Sequence, residues 1–532
     1  MSPKPPDSTR IGAGSLALHL PEFSQAVPGF GRCCCGARPP PLADVEQSRL
    51  LGALTPKDSR RMLRGGREVR GDGRDGLDPT VGVADGRLRS MENAVHTWRK
   101  EGREVSSYDE FFSRATGHTP LPYQHRLATG PWPARVEIPT GLGKTYAVVL
   151  AWLWRRENSN ASGIPRRLVY CLPMRVLVEQ TRDVVASVLN KLGLADRVRL
   201  VVLMGGLADD DEWDRYPEGE AIIIGTQDML LSRALDRGYG MSRYRWPLHF
   251  GLLNNDCQWL VDEVQLLGAG VSTTAQLQAF RRKLGTAQPS RTTWLSATLQ
   301  EDWLRTVDVE DVDLDGVVRL EEEDLAHSVA ARRVRSRKTL RPTTSIMGAA
   351  RELASEILEA HRPGTRTLVL LNTVDRAVRL YEALVRSKPA APVVLVHSRY
   401  RPPDRRAHLD DLLASPGEPG LIAVSTQVVE AGVDVSSATL FTEMAPWASM
   451  VQRFGRCNRE GEHPDACVYV VRLPSDEKER QKLAPPYELV DLVDSERIAG
   501  SFADAGPASL PRVPLRMGEH AVIRRRDLCC RA

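Results

Sequence analysis

No stretch of this 532-residue sequence approaches the roughly 20 uninterrupted apolar residues that a membrane-spanning helix requires. The apolar patch from Leu16 to Leu20 is broken by His19 and followed by Pro21 and Glu22, so neither a signal peptide nor an anchor is expected there. Cysteine is sparse and badly spaced for structural work. Of nine, Cys33, Cys34 and Cys35 are adjacent, as are Cys529 and Cys530, and the rest are scattered. Neither zinc-ligand spacing nor a disulfide framework emerges, and a reduced cytoplasmic compartment is the expectation. An excess of one charge is also missing. Residues 1–90 carry 14 Lys and Arg against 10 Asp and Glu, which leaves 58 of each sign in the rest. A neutral body excludes bulk charge as a source of nucleic-acid affinity; any such binding would need a local positive track and oriented backbone N–H groups.

What is present is a globular composition, 42% hydrophobic and 26% charged, in a chain long enough for two or three domains. Residues 1–90 stand apart. They are rich in Gly, Pro and Arg, lack sustained periodicity and contain Arg60, Arg61, Arg64 and Arg67 in close succession. Such a segment buries too little apolar surface to offset its ordering entropy and is expected to be disordered, as an inert extension or a nonspecific nucleic-acid tether. The pattern turns compact just after Met91, which makes Met91 a candidate natural start; peptides from residues 1–90 in the native protein would exclude that.

The rest is organised around Ile138-Pro139-Thr140-Gly141-Leu142-Gly143-Lys144-Thr145, between a strand-like run ending at Ile138 and a helical pattern from Tyr146. A loop that wraps phosphates needs small residues so that backbone N–H groups point inward, a lysine for the β and γ oxygens, and a hydroxyl for Mg²⁺. Gly141, Gly143, Lys144 and Thr145 supply these. The strict pattern G-x-x-x-x-G-K-[ST] asks for glycine where Ile138 stands, so the first turn is expected to be built around Pro139 and Thr140. About twenty residues upstream, Gln124 offers an amide whose paired donor and acceptor suit an adenine edge.

Apolar runs at Leu168–Leu172, Arg199–Leu203, Ala221–Ile224, Cys257–Val261 and Thr292–Leu295 alternate with helical stretches, as in a parallel sheet covered on both faces. A charged linker, about Glu321 to Thr344, follows. The alternation then restarts with strands Thr367–Leu371, Val393–Val396, Leu421–Val424, Thr439–Thr442 and Val468–Val471. The expected fold is α/β, two tandem domains at 91–330 and 331–475, with a polar tail from 476 to 532 for which the pattern indicates no fold.

Asp262 and Glu263 end one of the first-domain strands, Asp262 placed to hold Mg²⁺ with Thr145 and Glu263 to orient and deprotonate an attacking water. Ser296-Ala297-Thr298 ends the next buried strand. In the second domain, Gln452, Arg456 and Arg459 recur at helical spacing, which predicts one helix face aimed at a phosphate, with Arg456 and Arg459 as arginine fingers from across an interdomain cleft.

The ordered set of Gln124, residues 138–145, 262–265, 296–298, 424–434 and 452–459 resembles the motif series of superfamily 2 helicases, over roughly residues 107 to 475. More narrowly, residues 109–128, 225–240, 261–268 and 445–461 resemble the CRISPR-associated helicase of type I interference systems, in the variant called subtype I-U or I-G. The resemblance implies two RecA-like domains, ATP and Mg²⁺ as cofactors, and movement along single-stranded DNA, usually 3′ to 5′, after a guide-RNA effector complex has opened an R-loop. It further implies that Pro173, Arg175, Gly205, Gly206, Thr226 and Gln227 touch the phosphate backbone from the first domain. Asn372, His397, Ser398, Arg399, Ser425 and Thr426 would do so from the second, while Gly432 and Asp434 would face the nucleotide.

Two departures stand out. Gln265 occupies a position that relatives commonly fill with histidine, and it is expected to hydrogen-bond across the cleft without titrating. None of the eleven histidines is followed by aspartate, so no intrinsic His-Asp nuclease is expected, and a separate one would be a partner. The competing readings are another superfamily 2 motor, such as a repair helicase or a duplex translocase, and an inactive nucleic-acid-binding scaffold. Intact Lys144, Asp262, Glu263, Arg456 and Arg459 weigh against the scaffold.

Overall fold

The computed structural model describes residues 107–510 apart from 159–162, 207–211, 298, 300, 307–315 and 431. The expectations for residues 1–90, for Met91, for Thr298 and for the last residues of the tail lie outside the described residues.

The first lobe is a seven-stranded sheet of β1 (Arg135–Glu137), β2 (Arg167–Leu172), β3 (Val198–Leu203), β4 (Glu220–Thr226), β5 (Cys257–Val261), β6 (Ser290–Leu295) and β7 (Val317–Arg319), in the order β3-β4-β2-β5-β6-β1-β7. Every pairing is parallel. Side chains of a strand alternate between faces, and here both faces are dry. Leu168, Tyr170 and Leu172 enter one apolar core, and Val169 and Cys171 enter the other. The near-continuous apolar runs in the sequence follow from this double burial.

The second lobe is a six-stranded sheet of β8 (Thr339–Ile346), β9 (Arg366–Leu370), β10 (Val393–Val396), β11 (Leu421–Ser425), β12 (Thr439–Glu443) and β13 (Cys467–Arg472), ordered β10-β11-β9-β12-β13-β8 and also parallel throughout. Two parallel sheets flanked by helices make two RecA-like lobes in tandem.

Two parts of the expected layout are corrected. The charged linker is structured: it holds helices Glu322–Ala326 and Ser328–Val334, and its end is β8. β8 is an edge strand with Pro342 in its middle and alternate residues exposed, so it lacks the apolar run that marks the inner strands. The segment beyond Pro474 carries helices Glu477–Leu483 and Leu489–Ala499. Ala484, Leu492, Ile498, Ala499 and Ala505 complete the second lobe's core, and Ala505 N–H bonds to the Lys338 carbonyl. Its few apolar residues are spaced along otherwise polar helices, which hid them. Among the described residues no helix is long and apolar enough to cross a membrane.

Candidate functional site: a cleft between the two lobes

β1 and β5 are separated in the sheet by β6, so the residues that follow these three strands converge on one edge. After β1 comes the phosphate loop. Gly141 and Gly143 have φ of +88° and +77°, conformations that cost a residue with a Cβ and turn successive N–H groups to one side. A Cβ on Gly143 would also sit 3.0 Å from Gln124 Nε2. Lys144 opens the helix Lys144–Asn158; its amine is buried and has no hydrogen-bond partner. An unpaired buried cation at a helix N-terminus is costly in itself and suits a phosphate group.

Asp262 follows β5. Its Oδ2 accepts from the Tyr170 hydroxyl at 2.7 Å and its Oδ1 from Glu263 N–H at 2.8 Å. Burial pushes its carboxyl above the usual range, with Lys144 pulling the other way. Glu263 lies in the left-handed region at φ 49°, a strain of about 1–3 kcal/mol for a non-glycine residue, and this aims its side chain into the cleft. Gln265 donates to Glu263 Oε2 at 2.5 Å and accepts from Ser296 Oγ at 2.8 Å. It therefore stays within its own lobe, contrary to the expected bond across the cleft. The amide that crosses is that of Gln452, which donates to the same Glu263 oxygen at 3.4 Å.

Gln452 sits on helix Trp447–Phe454, but the predicted continuous face of 452, 456 and 459 is corrected: the helix ends at Phe454. Gly455 caps it, Lys338 Nζ takes the Phe454 carbonyl at 2.7 Å, and Asn458 turns the chain at φ 44°. Arg456 and Arg459 thus reach the cleft from a turn. Arg456 is buried, donates to the carbonyls of Glu430 at 3.0 and 3.1 Å and of Val433 at 2.5 Å, and is pushed down to about 10 by burial and by Arg459. Arg459 pairs with Asp434 at 2.7 Å, and a Cβ on Gly141 would lie 3.7 Å from its guanidinium.

Gln124, Thr140, Gly141, Gly143, Lys144, Thr145, Asp262, Glu263, Gly432, Asp434, Arg456 and Arg459 line a single cavity of about 720 Å³. Gln124 is used otherwise than the sequence suggested. Its Oε1 accepts from Leu121 N–H at 2.8 Å, and its Nε2 is directed at the carbonyls of Leu142 and Gly143 at 3.3 and 3.4 Å. Its amide braces the phosphate loop, and its donors are spent. The sequence reading missed His118 and Thr119 before Gln124, Gln180 and Thr181 on helix Arg175–Leu192, and His327, Arg332 and Arg333 on the interlobe segment, all of which line the same cavity.

The nucleic-acid candidates lie on the same sheet edges. Pro173 and Arg175 follow β2, Gly205 and Gly206 follow β3, and Thr226 and Gln227 lie at the end of β4, three neighbouring strands. Arg175 is exposed, with its guanidinium beside Gly206. In the second lobe, Ser398 and Arg399 are exposed after β10, whereas His397 is buried and stacked on Tyr400 at 4.0 Å. Asn372, Ser425 and Thr426, like Thr226 in the first lobe, are buried. Asn372 donates to the Met444 carbonyl and accepts from Arg453, and Ser425 donates to the Val396 carbonyl.

A DEAD/DEAH box helicase family matches residues 125–307, and the family described as CRISPR-associated nuclease/helicase Cas3, C-terminal, matches residues 363–462. Together with the cleft between two RecA-like lobes, these matches liken the chain to the superfamily 2 class of helicases. The CRISPR-associated helicase Cas3 of Thermoproteus tenax is 27% identical over 355 residues, covering 63% of this chain and 55% of its own length. A putative CRISPR-associated nuclease/helicase Cas3 of Myxococcus xanthus is 37% identical over 144 residues, 26% of this chain and 18% of that protein. A crystal structure of T. fusca Cas3 with AMPPNP shares the fold at a TM-score of 0.56 and 16% identity, over 76% of this chain and 52% of that one. The chain is thus similar to CRISPR-associated superfamily 2 helicases over both lobes, and it spans about half the length of its Thermoproteus relative.

Proposed function

We propose that this chain is an ATP-driven motor on single-stranded DNA that works in type I CRISPR interference beside a guide-RNA effector complex. One observation carries the reading: an unpartnered buried lysine, a strand-end carboxylate pair and two arginines from the opposite lobe line one cavity. The residues fit a Mg²⁺-nucleotide. Lys144 and the loop N–H groups would hold the phosphates, and Thr145 with Asp262 would hold the metal, which when bound neutralises charge on the phosphates. Glu263 orients and deprotonates the attacking water, held in place by Gln265 and Gln452. Arg456 and Arg459 supply positive charge for the transferring phosphoryl group.

Because Gln452 and the arginines belong to the other lobe, closure completes the site and hydrolysis loosens it. Alternating grip by Arg175 and Gly206 on one lobe and Ser398 and Arg399 on the other would turn this cycle into movement. Such contacts read phosphate and not bases, so the motor is expected to be nearly blind to sequence.

The test is ATP hydrolysis by the purified chain with and without single-stranded DNA, with Lys144→Ala as control. DNA-stimulated turnover that is lost in Lys144→Ala is expected; turnover that survives this change would mean the nucleotide sits elsewhere. Strand displacement assayed beside duplex translocation separates a helicase from a duplex-tracking motor.

A further inference from the structure

We propose that Arg333, on the interlobe helix Ser328–Val334, is a positioning residue that latches the turn bearing Arg459 onto the phosphate loop. The inference rests on the ATPase reading of the cleft and extends it to a segment outside the motif series. Arg333 Nη1 donates to the Gly141 carbonyl at 2.5 Å, its Nε donates to Glu460 Oε2 at 2.9 Å, and its Nη2 bonds to the same carboxylate oxygen. Glu460 is the residue after Arg459. The guanidinium of Arg459 itself packs against Gly141, since a Cβ placed there would lie 3.7 Å from its Cγ, Nε and Cζ. Arg333 thus bonds Gly141 while the Arg459 guanidinium lies on the side where a Cβ of Gly141 would project.

Other contacts fasten the turn to the linker and to its own lobe. Asn458 Nδ2 donates to the Arg337 carbonyl at 3.1 Å, and Arg459 N–H donates to Ser436 Oγ at 3.0 Å. Gly461, at φ +72°, lies so close to the helix that a Cβ would fall 2.6 Å from the Arg332 carbonyl. Arg333 joins this assembly to the first lobe.

An exposed ion pair is weak and would not hold two lobes in register. This one differs in kind. Both side chains are mostly buried, 27% and 31% exposed, and the planar guanidinium serves two acceptors at once, a fork that lysine cannot reproduce. Placement is where such a contact acts, because a displacement of about 1 Å in a catalytic group costs on the order of 10²-fold in rate.

The experiment uses the full chain with Arg333→Met, Arg333→Lys, Glu460→Gln and the Arg333→Met/Glu460→Gln double variant. In single-stranded-DNA-stimulated ATPase, Arg333→Met and Glu460→Gln are expected to lower kcat by about ten- to hundredfold while KM for ATP moves by less than about threefold. The double variant should be no worse than the weaker single one, and Arg333→Lys should recover part of the loss. Hydrogen exchange of the nucleotide-free protein gives a readout independent of turnover: peptides spanning 139–145 and 456–461 should both exchange faster in Arg333→Met. If wild type and Lys144→Ala behave as an ATPase and its dead control but Arg333→Met keeps kcat within twofold, the latch is wrong and the motor stands. If wild type hydrolyses no ATP, the motor reading falls and exchange alone decides: unchanged exchange in both peptides overturns the latch, and faster exchange in both supports it.

Discussion

The carboxylate of Glu263 accepts a hydrogen bond from the Gln452 amide of the opposite lobe, at 3.4 Å, and from Gln265 of its own lobe at 2.5 Å. This carboxylate is thus held by one donor from its own lobe and one that depends on how the lobes meet.

Replacing Glu263 by Gln keeps shape and removes basicity, so kcat for ATP should fall by about 10²–10⁴-fold with the melting temperature nearly unchanged. Gln452→Leu removes only the interlobe donor and should give a smaller fall. Steady-state ATPase with single-stranded DNA, beside a thermal melt, checks both; full turnover in Glu263→Gln would remove this residue from the chemistry.

Arg456 and Arg459 should separate. Arg456→Ala strips the donors from the Glu430 and Val433 carbonyls in a buried setting, where each unsatisfied group costs about 1–3 kcal/mol. It should lower both stability and turnover. Arg459→Ala loses a pair with the exposed Asp434, and should leave denaturant unfolding close to wild type while reducing kcat toward the roughly 10³–10⁵-fold characteristic of arginine fingers. Equal destabilisation of the two variants would contradict the arrangement described.

Gly432 has φ +93°, and a Cβ there would lie 3.1 Å from both Val176 Cγ1 and Gln180 Oε1 of helix Arg175–Leu192. Gly432→Ala should therefore strain its own loop and push the lobes apart, lowering kcat at least tenfold, since small displacements are expensive. A variant with wild-type kcat would show that this contact is not part of the working state.

Lys338 is buried, and burial pulls its amine down to about 8. The unfolded chain, near 10.4, binds more protons than the folded one between these values, so stability attributable to Lys338 rises as pH goes from about 8 to about 10.4. Urea unfolding at pH 7.5 and pH 9.5 should show wild type gaining on Lys338→Met by up to about 2 kcal/mol, at 1.36 kcal/mol per unit. Parallel behaviour of the two proteins would place the amine in water.

The chemistry-bearing stretches were legible because each imposes its own residue types. A loop that bares N–H groups needs Gly141 and Gly143, and the carboxylates Asp262 and Glu263 stand out where the buried strand β5 ends. Inner strands were legible for a related reason: burial on both faces forces apolar runs such as Leu168–Leu172. Edge strand β8 and the helices after Pro474 bury a few residues each, and no local pattern separates them from solvated chain.

What the sequence determined by itself is therefore the two-lobed α/β plan and most of the groups that line the interlobe cavity. What tertiary structure decided is which polar atoms remain free to act. Gln124, Asn372 and Ser425 looked available and are engaged internally, whereas Arg333, which carries no local signature, bridges Gly141 and Glu460. A hydrogen bond binds partners far apart in the chain, and its satisfaction depends on distances of a few tenths of an ångström that only the packed fold sets.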